Sequence, residues 1–502
     1  MTYSPYLATK FNNTHMRTSG DISYISGMCS VCSNNCIGSC EIGLSAIRGA
    51  EATYPYNTTI QQFASEKDYP FDYSHFNIQG RVFDSFGIDV TTEYTNVYSA
   101  NTNTELGTEN KIKLQAPFIL PAIAKLNWKD YYSGAAMYGI PAVIGENALR
   151  TDQETSYLDQ KVVKAPILHT MEETYRQYQD GYGDIILQTN VDDISVGVPE
   201  YVLKNTGIRS LEIKLGQAAK GIQHMAVVNS LEEAQKIKGQ GYIVEPNPYD
   251  EKVVEEYKKY HSFHFYQYGR LPFWSEEKLA FLVKHYRDLG AQNIFLKMAG
   301  YTEEDIQRTL EIASDNKITM ITFDGAGGGT GHSPCKMMNE WGIPTIELEN
   351  LVYNKLKKLD QNQRYIPKIA IAGGFTTEDR IFKALALGEK YITNVAIGRG
   401  AMAAAMSAKK VGELVQNNQI PDKYKEYGNT IQEIFFDAPM LINKYGSTIS
   451  TGAIGVYSYL QRLEIGLKQL MTLNRKFSLN CLNRTDLLPL TLQAKELLLL
   501  EP

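Results

Sequence analysis

From about Ala116 onward, short apolar runs alternate with stretches whose apolar residues recur every three or four positions. The first pattern is that of strands buried on both faces, the second that of amphipathic helices lying against them. Eight strands are expected: Phe118 to Ile123, Ala142 to Ile144, Ile185 to Gln188, Leu211 to Lys214, Ile294 to Met298, Ile318 to Phe323, Ile369 to Ala372 and Val395 to Ile397. Helix signals fall between them. Ser275 precedes Glu276 and Glu277 and opens a helix that runs to about Leu289, where Gly290 stops it. A second helix is expected from Thr302 to Ser314, and a third from Thr377 to Leu387, stopped by Gly388. Eight such units over roughly 290 residues fit a (β/α)8 barrel. An open doubly wound sheet also alternates, but it carries its glycine loop after the first strand, with an acidic residue about 20 positions on.

In this chain the glycines come late. The sixth strand runs into Phe323-Asp324-Gly325-Ala326-Gly327-Gly328-Gly329-Thr330-Gly331-His332-Ser333-Pro334, a loop with few side chains. The seventh runs into Gly373-Gly374 and the eighth into Gly398-Arg399-Gly400. Bare backbone at three successive strand ends suits one shared anionic ligand, cradled by N–H groups, and phosphate sites after strands seven and eight are a barrel habit. A Walker loop is excluded, since Gly331 is followed by His332-Ser333 and not by lysine. A plain tight turn is the alternative.

The rest of the chain divides around this barrel. Residues 1–110 read as an irregular, polar cap that needs a cofactor and docking to hold it. Residues 111–405 form the barrel, with an insertion expected between Val198 and Ser275, and 406–502 read as a helical extension packed on it. The 502 residues are 43% hydrophobic and 21% charged, ample for a large core. A net charge of -6 and the lack of a basic stripe argue against nucleic acid and anionic membranes. With no basic n-region ahead of an apolar run and no span of membrane length, a cytoplasmic location is expected.

Four of the six cysteines crowd together as Cys29, Cys32, Cys36 and Cys40, spaced C-x2-C-x3-C-x3-C. Disulfides between such neighbours would constrain little chain, so a metal or cluster is the better reading. One local loop with four thiolates suits an iron–sulfur cubane. Zinc is the alternative, although its four-thiolate sites usually come as two separated knuckles.

Other chemistry sits at strand ends. Lys297, near the end of the fifth strand, points toward the barrel mouth, where it could hold the N1/O2 edge of a flavin or a substrate carboxylate. Lys214 ends the fourth strand in the same way, and Gln188, at the end of the third, could bond a flavin pyrimidine edge. Each has a plain reading too: surface lysines and a capping amide. His332 is the one histidine placed near the chemistry.

Together these motifs resemble the FMN-binding synthase domain of glutamate synthases and related flavoproteins. The resemblance covers about 115 to 495. It rests on Glu212-Ile213-Lys214-Leu215-Gly216-Gln217-Ala218-Ala219-Lys220, on Lys297, on Gly327 to Pro334, on Gly373-Gly374 and Gly398-Arg399, and on the tail Leu482 to Leu487. It implies FMN at the carboxyl ends of the strands of a (β/α)8 barrel. Pro121, Ala122, Gln188, Lys297, Asp324, Gly325, Gly328, Gly329, Thr330, Gly373, Gly374, Gly398 and Arg399 would hold it. Lys297, Lys214, Gln217 and His332 would be the catalytic set. The implied reaction reduces the imine of 2-oxoglutarate and ammonia, with a ferredoxin-type donor feeding a [4Fe-4S] cluster on the four cysteines. A homo-oligomer is expected.

The sequence departs from that pattern. No glutaminase domain or processed amino-terminal cysteine is expected, as the chain starts Met1-Thr2. The family's three-cysteine cluster is replaced by the amino-terminal set. After Lys220, where the family has a proline, glycines and an acidic residue, this chain has Gly221-Ile222-Gln223-His224. Two other readings follow: reduction of a different C=C or C=N bond, or a non-catalytic electron-relay subunit.

Overall fold

The computed structural model describes residues 15–16, 46–49, 67–89, 91, 93–216, 225–260, 264–326, 328 and 333–499. Eight parallel strands close a barrel: β1 (Phe118–Ile123), β2 (Ala142–Ile144), β3 (Ile185–Thr189), β4 (Ser210–Lys214), β5 (Asn293–Ala299), β6 (Met320–Asp324), β7 (Lys368–Ala372) and β8 (Ile392–Ala396). Each pairs with its sequence neighbours, and β8 closes on β1 through Val395 opposite Phe118. The expected (β/α)8 barrel is therefore present, with all eight expected strands. The eighth begins earlier than the Val395 start, at Ile392.

Alternate strand residues fill the barrel in layers. Ile119, Val143, Ile186, Phe295, Met320 and Ala370 form an apolar cluster inside it. A hairpin, Thr104–Leu106 with Ile112–Leu114, adds Leu106, Ile112 and Leu114 to this cluster. Two residues further along the same inward rows, the side chains become polar: Gln188, Lys297 and Thr322, all buried. The change from apolar to polar along the axis marks the carboxyl end as the place where a ligand can be bound.

The outer faces of the strands bury against helices. These include α1 (Trp128–Tyr138), α2 (Pro166–Arg176), α3 (Val198–Asn205), α4 (Glu276–Asp288), α5 (Glu303–Asp315), α6 (Thr345–Gln361), α7 (Glu378–Gly388) and α8 (Arg399–Gln416). Ser275 and Thr302 cap α4 and α5 through side-chain oxygens that accept from Lys278 N and Asp305 N. Gly388 is a correction. It lies within α7, and the left-handed turn falls to Glu389 at φ 49°. Gly388 is small for another reason: a Cβ there would lie 2.2 Å from the Ile392 Cβ.

The insertion starts after β4. It is a three-stranded antiparallel sheet (Met225–Val228, Ile243–Glu245, Phe265–Tyr268) with helices Leu231–Gly239 and Glu251–Tyr260 and its own small core of Val228, Ala234, Val244 and Phe265. The 405/406 division falls inside α8, which packs with α1 against the long helix α9 (Thr451–Leu473). Strand Phe76–Ile78 pairs antiparallel with Leu487–Pro489, joining the two flanking segments. Among the described residues, no helix is long and apolar enough to cross a membrane.

Candidate active site at the barrel mouth

Four neighbouring strands deliver a ring of buried polar side chains. Gln188 of β3 sits opposite Glu212 of β4, and its Nε2 donates to Glu212 Oε1 at 2.5 Å. Two residues on, Lys214 sits opposite Lys297 of β5. Lys214 Nζ donates to Glu146, on the loop after β2, and Lys297 Nζ lies 3.9 Å from Asp324 Oδ2 at the end of β6. The five residues Gln188, Glu212, Lys214, Lys297 and Asp324 are all at most 5% exposed. Two ammonium groups thus face three carboxyl groups, Glu146, Glu212 and Asp324, in a buried volume where unpaired charge is costly.

Glu212 is the innermost of these charges. Burial pushes its carboxyl up from the ordinary value, against the pull of Lys297, of the Gln188 amide and of Lys214, while Glu146 pushes with burial. Among the described residues the Gln188 Oε1 is buried and has no hydrogen-bond partner, an acceptor facing the mouth.

Asn147 follows Glu146 at φ 60°, in the left-handed region. Its N–H donates to Asp193 Oδ2 at 3.2 Å, which steadies the turn that carries Glu146 to Lys214. Burial raises the Asp193 carboxyl to about 7, opposed by the N–H groups of Asn147 and Asn190, with the Glu146 charge adding to the rise.

The glycine turns ring the same end. A Cβ at Gly325 would lie 2.3 Å from Thr345 Oγ1, and one at Gly373 (φ 120°) 2.4 Å from the same atom. Thr345, the first residue of α6, fills the space both leave and donates to Gly373 O at 3.0 Å. A Cβ at Gly328 would meet Asp324 Oδ1 at 2.1 Å, so this glycine lets the loop fold back over the carboxylate. Gly374 takes φ 92°. Gly398 and Arg399 open α8, and a Cβ at Gly398 would reach Pro121 Cγ at 3.3 Å. Pro121 and Ala122 therefore lie next to the eighth-strand turn, as β8 closes on β1.

Of the residues singled out in the sequence, Lys297, Lys214, Gln188, Asp324, Gly325, Gly328, Gly373, Gly374, Gly398, Arg399, Pro121 and Ala122 all sit on the carboxyl-end turns and strand ends of the barrel. Gln217, Gly329, Thr330, His332 and the cysteines Cys29, Cys32, Cys36 and Cys40 lie outside the described residues. Among the described residues no group of three or more His, Cys, Asp or Glu side chains could hold a metal. The sequence reading missed Glu146, Asp193 and Thr345. It quoted Glu212 only as part of a motif, although a lone carboxylate inside an apolar strand was visible there. A depression of about 510 Å³ lined by Lys111, Arg176 and Arg209 lies by the plug hairpin, away from this chemistry.

Fold and site define an α/β barrel with a buried, charged mouth ringed by glycine turns. Residues 270–410, from just before α4 into α8, match the family described as the conserved region in glutamate synthase. The chain is also similar to the glutamate synthase large subunit-like protein YerD of Bacillus subtilis (strain 168), 30% identical over 198 residues. That match covers 39% of this chain and 33% of the relative. Lys297, Asp324 and the three glycine turns all fall within the stretch that is similar to glutamate synthases. Similar solved structures include a flavocytochrome b2 variant with pyruvate bound, 13% identical, TM-score 0.46, covering 83% of this chain and 76% of that one. The lactate oxidase of Pediococcus acidilactici is 16% identical, TM-score 0.44, with 84% of each chain covered. The (S)-mandelate dehydrogenase of Pseudomonas putida is 16% identical, TM-score 0.43, covering 83% and 88%.

Proposed function

We propose that this chain is an FMN-dependent oxidoreductase of glutamate-synthase-like type. The observation that carries the reading is the convergence at one barrel end of Gln188, Lys214 and Lys297 with the glycine turns after β6, β7 and β8. These residues fit the cofactor. The open Gln188 Oε1 needs a donor, which a flavin ring edge has. The bare backbone at Gly373, Gly374 and Gly398, with the N-terminus of α8, suits a phosphate. When bound, FMN supplies hydride or single-electron chemistry at its N5.

The protein's part is placement and charge. Lys297 presents a cation to the electron-rich edge of the ring or to a substrate carboxylate. Lys214, steadied by Glu146, presents a second cation for a carboxylate or a proton for the reacting nitrogen. Asp324 holds Lys297 in place and lies under the glycine loop. Gln217 and His332 belong to the same proposed catalytic set.

The substrate we assign is the imine of 2-oxoglutarate and ammonia, giving glutamate. Electrons would come from a ferredoxin-type donor in the cytoplasm through a [4Fe-4S] cluster on Cys29, Cys32, Cys36 and Cys40. The altered residues Gly221 to His224 favour a second reading, in which another small C=C or C=N compound is reduced. A visible spectrum of anaerobically purified protein, with flavin and iron counts, tests the cofactors. A yellow chromophore with iron is expected, and a colourless protein holding only zinc overturns the proposal in favour of an electron-relay or assembly subunit. Turnover of 2-oxoglutarate, ammonia and reduced ferredoxin then separates the two substrate readings.

A further inference from the structure

The amino ends of β3, β4 and β5 lie at the opposite end of the barrel from the mouth, and a hollow of about 510 Å³ opens over them. Its wall takes in Asp184, just ahead of β3, Arg209, just ahead of β4, and Asn293, the first residue of β5. The plug hairpin supplies another side. Ile112 and Leu114 are buried in the barrel cluster, so alternation turns Lys111 and Lys113 to the opposite face, where both are exposed and line the hollow. Arg176, at the end of α2, is the fourth cation of the wall. Two of the four are answered. Lys111 donates to Glu105 at 2.6 Å, and Arg176 pairs with Asp184 at 2.9 Å and lies 3.8 Å from Glu172. Arg209 donates through Nη1 to the carbonyls of Thr206 and Ile208, both at 2.8 Å. That fixes its guanidinium and leaves Nε and Nη2 without a partner among the described residues. The Lys113 ammonium has none among them either, because Glu105, opposite it in the hairpin, is taken by Lys111. The backbone at Gly181 stands open, since a Cβ there would touch nothing within 4 Å.

Among the described residues of this wall, Ile112 is the one large apolar side chain and no aromatic ring is present. The hollow therefore offers charge and hydrogen bonds but nothing for a nucleobase or hydrocarbon to pack on. In a chain of net charge -6, two clustered and unanswered cations make it a local exception that draws anions. We propose that this hollow is a second ligand site, which binds a compact multivalent oxyanion, phosphorylated or polycarboxylic, through Lys113 and Arg209. The planar guanidinium of Arg209 presents N–H groups suited to paired oxygens, and Lys113 adds a point charge from the hairpin. A bound anion thereby ties the plug to the amino ends of the strands. The site does not rest on the FMN reading, and its failure would leave that reading intact.

The test is calorimetric titration of the full-length protein, loaded with FMN where it binds, with inorganic pyrophosphate and with citrate at constant ionic strength. One-to-one binding tighter than about 1 mM is expected for at least one of them. The tighter of the two tells a phosphorylated from a polycarboxylic ligand. Lys113 is exposed, so Lys113→Gln should fold, and it should weaken that binding by about ten-fold. Binding of neither anion, or equal binding by Lys113→Gln, overturns the proposal. Hydrogen exchange of the wild type then locates the anion. Slower exchange at residues 107–113, 181–184 and 207–210 is expected on adding pyrophosphate or citrate. Protection confined to the glycine turns at 373–374 and 398–400 would place the anion at the mouth and overturn the proposal.

Discussion

At the scale of single residues, the mouth is a problem of charge in a dry space. Lys297 and Lys214 face Glu146, Glu212 and Asp324, and each carboxylate is tolerable only because a cation or an N–H donor answers it. Replacing Lys297 by Met removes the nearest cation of Asp324 and the main attraction on Glu212. Lys297→Met should lose bound flavin and reduce kcat by about 100-fold or more, since a preorganised charge at a reacting centre is worth that much. Flavin content and steady-state rates check this. Gly325 poses a steric question, because a Cβ there meets Thr345 at Oγ1 and at Cα. Gly325→Ala should cost about 1–3 kcal/mol by overpacking. Thermal unfolding of the paired variant Gly325→Ala with Thr345→Ala tests the cause: Oγ1 is lost but the clash with Thr345 Cα remains, so little of the stability should return.

At the scale of elements, α6 ties the mouth to the periphery. Its first residue supports two glycine turns, while Glu349, one turn further on, is fully buried and accepts from the Tyr73 hydroxyl. Arg484 of the tail lies nearby and donates to Asn350 Oδ1 at 2.8 Å. Burial raises the Glu349 carboxyl to about 8 from an ordinary 4.5, opposed by Tyr73 and Arg484. The folded state therefore holds this proton more tightly than the unfolded chain. The associated stability is full below pH 4.5 and is lost as pH rises toward 8, by up to about 1.4 kcal/mol per pH unit. Glu349→Gln keeps a neutral group at all pH values. Urea midpoints between pH 6 and pH 9 should fall more steeply for the wild type than for Glu349→Gln, and parallel curves would refute the assignment.

At the scale of the whole molecule, separate parts of the chain seat on one barrel. The 104–114 hairpin plugs it, and Phe76–Ile78 pairs with Leu487–Pro489 beside α7. The insertion after β4 has its own small core, reaches the main core through Tyr242, and is followed by Arg270, which bonds both sides of the junction. The Arg270 N–H donates to Asp192 Oδ2 at 3.2 Å, and its guanidinium donates to Ser195 and to Gly241 O. Arg270→Ala should loosen residues 225–268 without unfolding the barrel. Hydrogen exchange is expected to rise there and stay unchanged in β5–β8, and a uniform rise would show that the insertion and barrel are one cooperative unit.

The order of strands and helices was legible because periodicity is local: each strand announces itself by continuous apolar residues and each helix by its cap. The late glycines and the strand-end residues Gln188, Lys214 and Lys297 were legible for the same reason. Pairings across the barrel were not. Lys214 meets Glu146 from 68 positions away. Thr345 reaches Gly325 and Gly373 only because β6, β7 and α6 pack together. Tyr73 and Arg484 converge on α6 from opposite ends of the chain. The sequence by itself determined the barrel and the residue types at its mouth. Only the tertiary structure decided which charges answer one another, because the packing of strands, helices and flanking segments makes neighbours of residues that no local pattern connects.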